Sequence, residues 1–144
     1  MRIIAISFLL ILLLGVCLAD LSAQEAFSPI EVKSVNVEMK SVNGISYITG
    51  GIGIDERKAL SRMGHAYSLK LMFAAKSGAY LAMVKVAIKN SKDRTVFTAV
   101  SRDSWLYVNL PSGTDRILAT TKGTTLGKKD EMPAKGQTEL RYYW

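Results

Sequence analysis

The chain has 144 residues, a formal net charge of +7 at neutral pH, one histidine and one cysteine, Cys17. This length suits a single domain, and a lone thiol excludes an intrachain disulfide and the usual cysteine-rich zinc sites. The positive charge suits an anionic partner, but a solvated basic surface is the preferred interpretation of it. The lysines and arginines are spread along the chain without interleaved aromatic residues, so nucleic acid is not an expected partner.

Residues 1–23 are predicted to be a cleavable secretory signal peptide. Arg2 supplies the positive start, residues 3–19 form an almost continuous apolar run, and small residues follow that run. Cleavage is predicted after Ala23, with Ala19 as the second choice. The sequence therefore predicts an exported protein that resides in the periplasm or outside the cell.

Two alternatives to simple cleavage stay open. The apolar run reaches the lower length limit of a membrane-spanning helix, so it could serve as a retained N-terminal anchor. Cys17 could instead be the acylated cysteine of a lipoprotein, although Val16 before it fits such a motif poorly. In the preferred interpretation, residues 24–144 form a single domain that contains no cysteine.

One short helix is predicted between residues 55 and 67. Apolar side chains recur there at steps of three and four residues, which is typical of a helix lying on a larger structure. Asp55 is expected to cap the first turn, Glu56 suits the positive end of the helix dipole, and Gly64 suits the end of the helix. The predicted core-facing residues are Ala59, Leu60, Met63 and Tyr67, and the predicted solvent-facing residues are Glu56, Arg57, Lys58, Ser61 and Arg62.

The rest of the domain is predicted to be short strands separated by turns. Alternating apolar and polar residues from Tyr67 to Phe73 and from Val84 to Ile88 indicate strands with one buried face. Seven or eight strands at spacings of about ten residues are typical of an antiparallel β-sandwich of the prealbumin or immunoglobulin type. The further predicted strands are residues 30–37, 45–48, 95–100, 105–110, 117–121 and 137–144, with a polar stretch at 122–135.

The segment from Val84 to residue 122 resembles the carboxypeptidase regulatory-like domain, a transthyretin-like or prealbumin-like β-sandwich. The matching text is Val84-x-Val86, then the turn Asn90-Ser91-Lys92-Asp93-Arg94, then Trp105-x-Tyr107-x-Asn109-Leu110-Pro111-x-Gly113-Thr114, then Ile117-x-Ala119. The resemblance implies that Trp105, Tyr107 and Leu110 fill the core and that Pro111 and Gly113 turn the chain.

The same resemblance implies a function class. The mature chain is similar to small exported bacterial proteins that carry this domain, which acts as an appended structural or binding module rather than as a peptidase. The chain departs from the family pattern at two positions. Asp115 replaces a tyrosine that usually follows the Gly-Thr pair, and Ser104 replaces a common glycine.

No catalytic, cofactor-binding or metal-binding residue is predicted. His65 would be the base of a Ser-His-Asp arrangement with Asp55 or Asp103, but no nucleophile-elbow pattern surrounds a serine, so His65 is interpreted as a helix-boundary residue. Asp55-Glu56 is interpreted as a helix start and Asp130-Glu131 as a solvated turn, since neither fits a calcium loop. A phosphate-binding loop at Gly50-Gly51-Ile52-Gly53 lacks the required spacing, and these residues are interpreted as a flexible entry to the helix.

The last three residues are the remaining candidates for a binding role. Alternation places Tyr143 on the face opposite Tyr142 and Trp144, and two of the three are expected to fill the core rather than form a sugar platform. Tyr80 and Phe97 are left unplaced.

The sequence therefore predicts a non-enzymatic, exported structural or protein-interaction module of the bacterial cell envelope. Its expected partner is another envelope protein. The alternative is a module that binds a glycan or an anionic polymer, and an anionic glycan or lipid surface is then the partner. A hydrolase that uses paired carboxylates is a more distant possibility.

Overall fold

A computed structural model describes residues 35–144 of the chain. The predicted signal peptide at residues 1–23, with Cys17 and both cleavage sites, lies outside the described residues, as does most of the strand predicted at 30–37. Residues 35–37 are not in a strand. No helix in the described part of the chain is both long and apolar enough to cross a membrane.

The described residues are mainly β, with one helix. They form nine strands, more than the seven or eight that the turn pattern predicts. In chain order the elements are β1 (Lys40–Val42), β2 (Ile45–Gly50), α1 (Ile54–Gly64), β3 (Leu69–Ala74), β4 (Val84–Lys89), β5 (Thr95–Ser101), β6 (Trp105–Val108), β7 (Gly113–Thr121), β8 (Thr124–Met132) and β9 (Thr138–Tyr143).

The strands form two sheets. One has the order β1-β2-β6-β3-β9, and the other has the order β5-β4-β7-β8. All pairings are antiparallel except that of β3 with β9, which is parallel. Buried apolar side chains from both sheets form one cluster, an arrangement consistent with a β-sandwich.

The alternating patterns correctly predicted which face of the strands is buried. Leu69, Leu71 and Phe73 of β3 are fully buried, and so are Val84 and Ile88 of β4. Each set lies at every second position of its strand, so all of its members point to the same face of a sheet. These residues form the centre of the core between the two sheets.

The structure corrects the interpretation of residues 122–135 as a polar stretch without a strand, because strand β8 occupies most of these residues. β8 pairs with β7 over nine residues, and its side chains are mostly exposed. Backbone hydrogen bonds hold such an edge strand without an alternating apolar pattern, so hydrophobicity does not reveal it. Asp130 and Glu131, interpreted as a solvated turn, are therefore strand residues.

Helix α1 contacts the five-stranded sheet through a narrower stripe than the sequence pattern indicated. Leu60 and Gly64 are its buried residues. Met63, predicted to face the core, is 41% exposed because it lies about 60° from Leu60 and about 100° from Gly64 around the helix, outside the buried stripe. Asp55 does not cap the helix: the N-cap is Gly53, without a side-chain hydrogen bond.

The close contact of Gly64 with the sheet gives a first prediction. A methyl group added at Gly64 would overlap the ring of Tyr107, which is only 2% exposed and cannot easily move. We expect Gly64→Ala to lower the free energy of unfolding by about 1–3 kcal/mol through overpacking. The neighbouring change His65→Ala, at an exposed position, should alter it by less than about 0.5 kcal/mol. Urea denaturation measures both values, and equal effects would contradict this packing.

Trp105 and Tyr107 lie on the other face of β6 from the one that the resemblance implied. Leu106 and Val108 of β6, followed by Leu110, reach the core between the sheets. Tyr107 instead joins a second small core beneath α1 with Leu60, against which the half-buried Trp105 packs. The helix therefore covers a separate aromatic layer on the outer face of the five-stranded sheet.

Candidate functional site

A surface groove of about 580 Å³ lies along helix α1. Its helical wall consists of Ile54, Arg57, Lys58, Ser61 and Arg62. These positions follow the spacing i, i+3, i+4, i+7 and i+8, so they lie on one face of the helix. We call this feature the α1 groove. Most of its helical wall was interpreted from the sequence only as a solvent-facing surface.

Two aromatic residues, Trp105 and Tyr80, line the α1 groove opposite the helix. Tyr80, which the sequence left unplaced, is 53% exposed and lies in the β3–β4 connection. The guanidinium group of Arg57 lies 5.6 Å from the centre of the Tyr80 ring, and the ammonium group of Lys70 lies 4.5 Å from the centre of the Trp105 ring. Both distances are within the range of a cation–π interaction.

The glycine-rich entry to α1 is held by the helix itself. Glu56 Oε2 accepts hydrogen bonds from the backbone N–H groups of Gly51 (3.1 Å) and Ile52 (2.9 Å). Arg57 Nη1 donates to the Gly51 carbonyl oxygen at 3.0 Å. A carboxylate therefore already occupies the amides that a phosphate-binding loop would offer to its ligand. This geometry supports the interpretation of residues 50–53 as the entry to the helix.

The β5–β6 corner positions Trp105 in the groove. Ser101 is fully buried, and its Oγ donates to the carbonyl oxygen of Asp103 at 2.5 Å. Ser104, one of the departures from the family pattern, is 4% exposed, and its Oγ would lie 3.2 Å from a Cβ added at Gly51. The β5–β6 corner therefore packs closely against the glycine-rich entry to α1. This contact fixes the position of Trp105 at the start of β6.

Trp105 also carries an unsatisfied polar atom. Its indole Nε1 is buried and has no hydrogen-bond acceptor among residues 35–144. Leaving such a donor unpaired costs about 1–3 kcal/mol, so buried groups of this kind are uncommon and often mark functional sites.

The charges along the groove are mainly positive. Lys58 and Arg62 are exposed, and neither forms an ion pair within residues 35–144. Glu56 is engaged by two backbone amides, and its Oε1 lies 3.8 Å from Arg102 Nη2. The side chains of Lys58 and Arg62 therefore line the same groove as the rings of Trp105 and Tyr80 and have no acidic partner within residues 35–144.

The residues weighed for catalysis are not brought together. His65 is exposed and follows the helix as its C-cap, while Asp103 is buried and bonded to Arg102 Nε at 3.3 Å. Asp55 lies in the exposed first turn of α1. Within the described part of the chain, no three histidine, cysteine, aspartate or glutamate residues form a group that could hold a metal ion.

The terminal aromatic residues follow the predicted alternation. Tyr142 is 1% exposed, Trp144 packs against the core, and Tyr143 is 48% exposed. Tyr142 Oη donates to the Ile117 carbonyl oxygen at 2.9 Å, and burial raises the pKa of its phenol. Phe97, also left unplaced by the sequence, is fully buried in the core. Two of the three terminal residues therefore fill the core, as predicted.

Comparison with known proteins identifies no relative. The chain matches no protein-family model and no curated protein sequence.

Proposed function

We propose that the mature domain is an exported, non-catalytic binding module of the bacterial cell envelope, and that the α1 groove binds an anionic polysaccharide. One observation carries this proposal. Lys58 and Arg62, which form no ion pair within residues 35–144, line the same groove as the aromatic residues Trp105 and Tyr80. Export is proposed from residues 1–23, and a prealbumin-like, carboxypeptidase regulatory-like family from the motif at 105–114. Both proposals come from the sequence.

The composition of the groove suits an acidic sugar chain. Aromatic rings offer flat apolar surfaces for sugar rings, and the cations offer charge-assisted hydrogen bonds to carboxylate, phosphate or sulfate groups. Its volume of about 580 Å³ falls within the range of about 300–1,000 Å³ that is typical of ligand sites.

Salt dependence tests this proposal. Raising the salt from about 0.01 M to 0.15 M shortens the Debye length from about 30 Å to about 8 Å. We expect the affinity of the exported protein for polygalacturonate, measured by calorimetry, to fall at least about tenfold over this range because exposed charges are screened. Neutral dextran should bind much more weakly at either salt concentration. Binding of anionic phospholipid vesicles without polygalacturonate binding would contradict the proposal, as would equal binding of dextran.

A protein partner is the second candidate, supported by apolar side chains beside the groove. Ile52 is 76% exposed and Ile54 is 66% exposed, so two large aliphatic side chains close together in the chain present apolar surface to solvent at the start of α1. In this case the domain is a structural or protein-interaction module, and an envelope protein covers these side chains. Cross-linking in an envelope fraction distinguishes the two candidates. Capture of one defined protein that Ile54→Ser abolishes would favour this second candidate, whereas capture of polysaccharide alone would favour the first.

A further inference from the structure

Three turns meet at one end of the two sheets and enclose a second cavity, of about 460 Å³. They are the β1–β2 turn with Asn43, the β4–β5 turn with Asn90, and the β6–β7 connection at residues 109–112. Loops held by a rigid pair of sheets are common places for binding sites. We call this feature the end cavity, and none of its lining residues belongs to the α1 groove.

Asp115 is the unusual residue of the end cavity. It lines the cavity and is only 8% exposed. Within residues 35–144, its carboxylate makes no side-chain hydrogen bond and no ion pair, and burial raises its pKa. Buried carboxylates are normally paired because the loss of hydration is costly. Asp115 is a largely buried residue, but its carboxylate oxygens are not fully buried, so they remain open to the cavity that the residue lines. A carboxylate in this position, without a partner within residues 35–144, points to a partner outside the described chain.

The charged groups around Asp115 are of both signs, and most of the cations among them are already paired. On β8, Asp130 stands directly opposite Asp115. In the β4–β5 turn, Asp93 lies 3.4 Å from Arg116 Nη1 and 3.5 Å from Lys89 Nζ, so these cations are already paired. Lys129 lines a smaller neighbouring cavity with Asp115 and makes no ion pair among the described residues.

The remaining walls of the end cavity are apolar or uncharged. Ile45, Val96, Leu110 and Pro111 contribute apolar surface. Asn43 Nδ2 already donates to the Val96 carbonyl oxygen at 3.3 Å, which fixes the β1–β2 turn against β5. The cavity therefore combines one carboxylate with a short apolar wall.

We propose that the end cavity binds a small primary amine, with the ammonium group on Asp115 and the alkyl part against Ile45, Val96 and Leu110. A primary ammonium group donates up to three hydrogen bonds and carries the charge that the carboxylate lacks. The alkyl part removes apolar surface of the cavity from water. This site is independent of the α1 groove and would occur in the same molecule.

Titration of the exported protein with n-pentylamine, followed by amide chemical shifts in NMR spectra, tests this site. We expect saturable shifts at residues 43–45, 90–96 and 110–115, and no saturable shifts with 1-pentanol, which lacks the charge. Asp115→Asn keeps the shape and removes the charge, so it should weaken pentylamine binding at least about tenfold. Glu131→Gln is the matched control, because Glu131 is an exposed carboxylate of β8 that does not line the end cavity, and it should retain the affinity within about twofold.

The same variant separates a binding role from a structural one. A largely buried carboxylate without a partner within residues 35–144 does not stabilise the fold. Asp115→Asn should therefore unfold at the same urea concentration as the parent or at a higher one. Pentylamine affinity should also decrease as the pH falls through the raised pKa of Asp115, because the neutral acid no longer attracts an ammonium ion. Absence of saturable shifts with pentylamine, or equal binding by Asp115→Asn, would overturn the proposal.

Discussion

Phe73→Ala should lower the free energy of unfolding by about 3–5 kcal/mol. Phe73 lies in the central core and is fully buried. Its ring centre lies 6.0 Å from that of Tyr142 and 6.3 Å from that of Trp144. Removal of the ring leaves a cavity between β3 and β9, and rigid neighbours on both sheets cannot fill it.

This loss is a large fraction of the stability of a domain of this size, which is about 5–15 kcal/mol. Tyr143→Ala is the matched control, because Tyr143 is an aromatic residue of β9 that points to solvent. It should change the free energy of unfolding by less than about 1 kcal/mol. Urea denaturation followed by circular dichroism measures both variants. Similar losses in the two variants would contradict the assignment of the inner face of β9.

Reversal of two charges in the α1 groove should weaken polygalacturonate binding about 30- to 100-fold. In Lys58→Glu/Arg62→Glu, each change removes an attraction of up to about 1 kcal/mol and adds a repulsion of similar size. The upper limit for the two changes is about 4 kcal/mol, and screening at 0.15 M salt reduces it to about 2–3 kcal/mol, which corresponds to that change in affinity. Glutamate is a good helix former, so the exposed face of α1 should remain folded.

The control for this variant carries the same change in net charge. Lys85→Glu/Lys135→Glu alters two exposed lysines that do not line the groove. If binding followed only the net charge of +7, both double variants would lose affinity equally. We expect the control to retain binding within about threefold at 0.15 M salt, where distant exposed charges are screened. Calorimetry at this salt concentration compares the two variants.

The sequence predicted those parts of the fold whose side chains are divided between core and solvent. Leu69, Leu71 and Phe73 were recognised because apolar and polar residues alternate, and Gly64 was recognised as the helix end. Strand β8 was missed because it is an edge strand with few buried side chains. The two-residue turn Lys122-Gly123, with φ of 48° and 78°, joins β7 to β8. A two-residue turn whose second residue is glycine is a local signal of a β-hairpin, and this signal could have revealed β8.

The candidate site was less accessible to sequence reasoning. The i, i+3, i+4 spacing of Ile54, Arg57 and Lys58 is visible in the sequence, but what this face lies against depends on tertiary contacts. Trp105 comes from a strand far along the chain, and its side of the sheet was assigned incorrectly because Leu106 and Val108 are the core residues of β6. Asp115 stood out only as a departure from a pattern, and its burial became visible only in the fold.

Amide chemical-shift mapping with an acidic oligosaccharide tests directly whether the α1 groove binds an anionic polysaccharide. The domain of residues 24–144 is titrated with oligogalacturonate at low salt, and the shifts are followed residue by residue. We predict that the largest saturable shifts fall on residues 54–62, on Tyr80 and on the Trp105 indole Nε1–H, all of which belong to the α1 groove or its rings. Largest shifts at the terminal residues 142–144 or in the end cavity, or no saturable shifts at all, would contradict polysaccharide binding in the α1 groove.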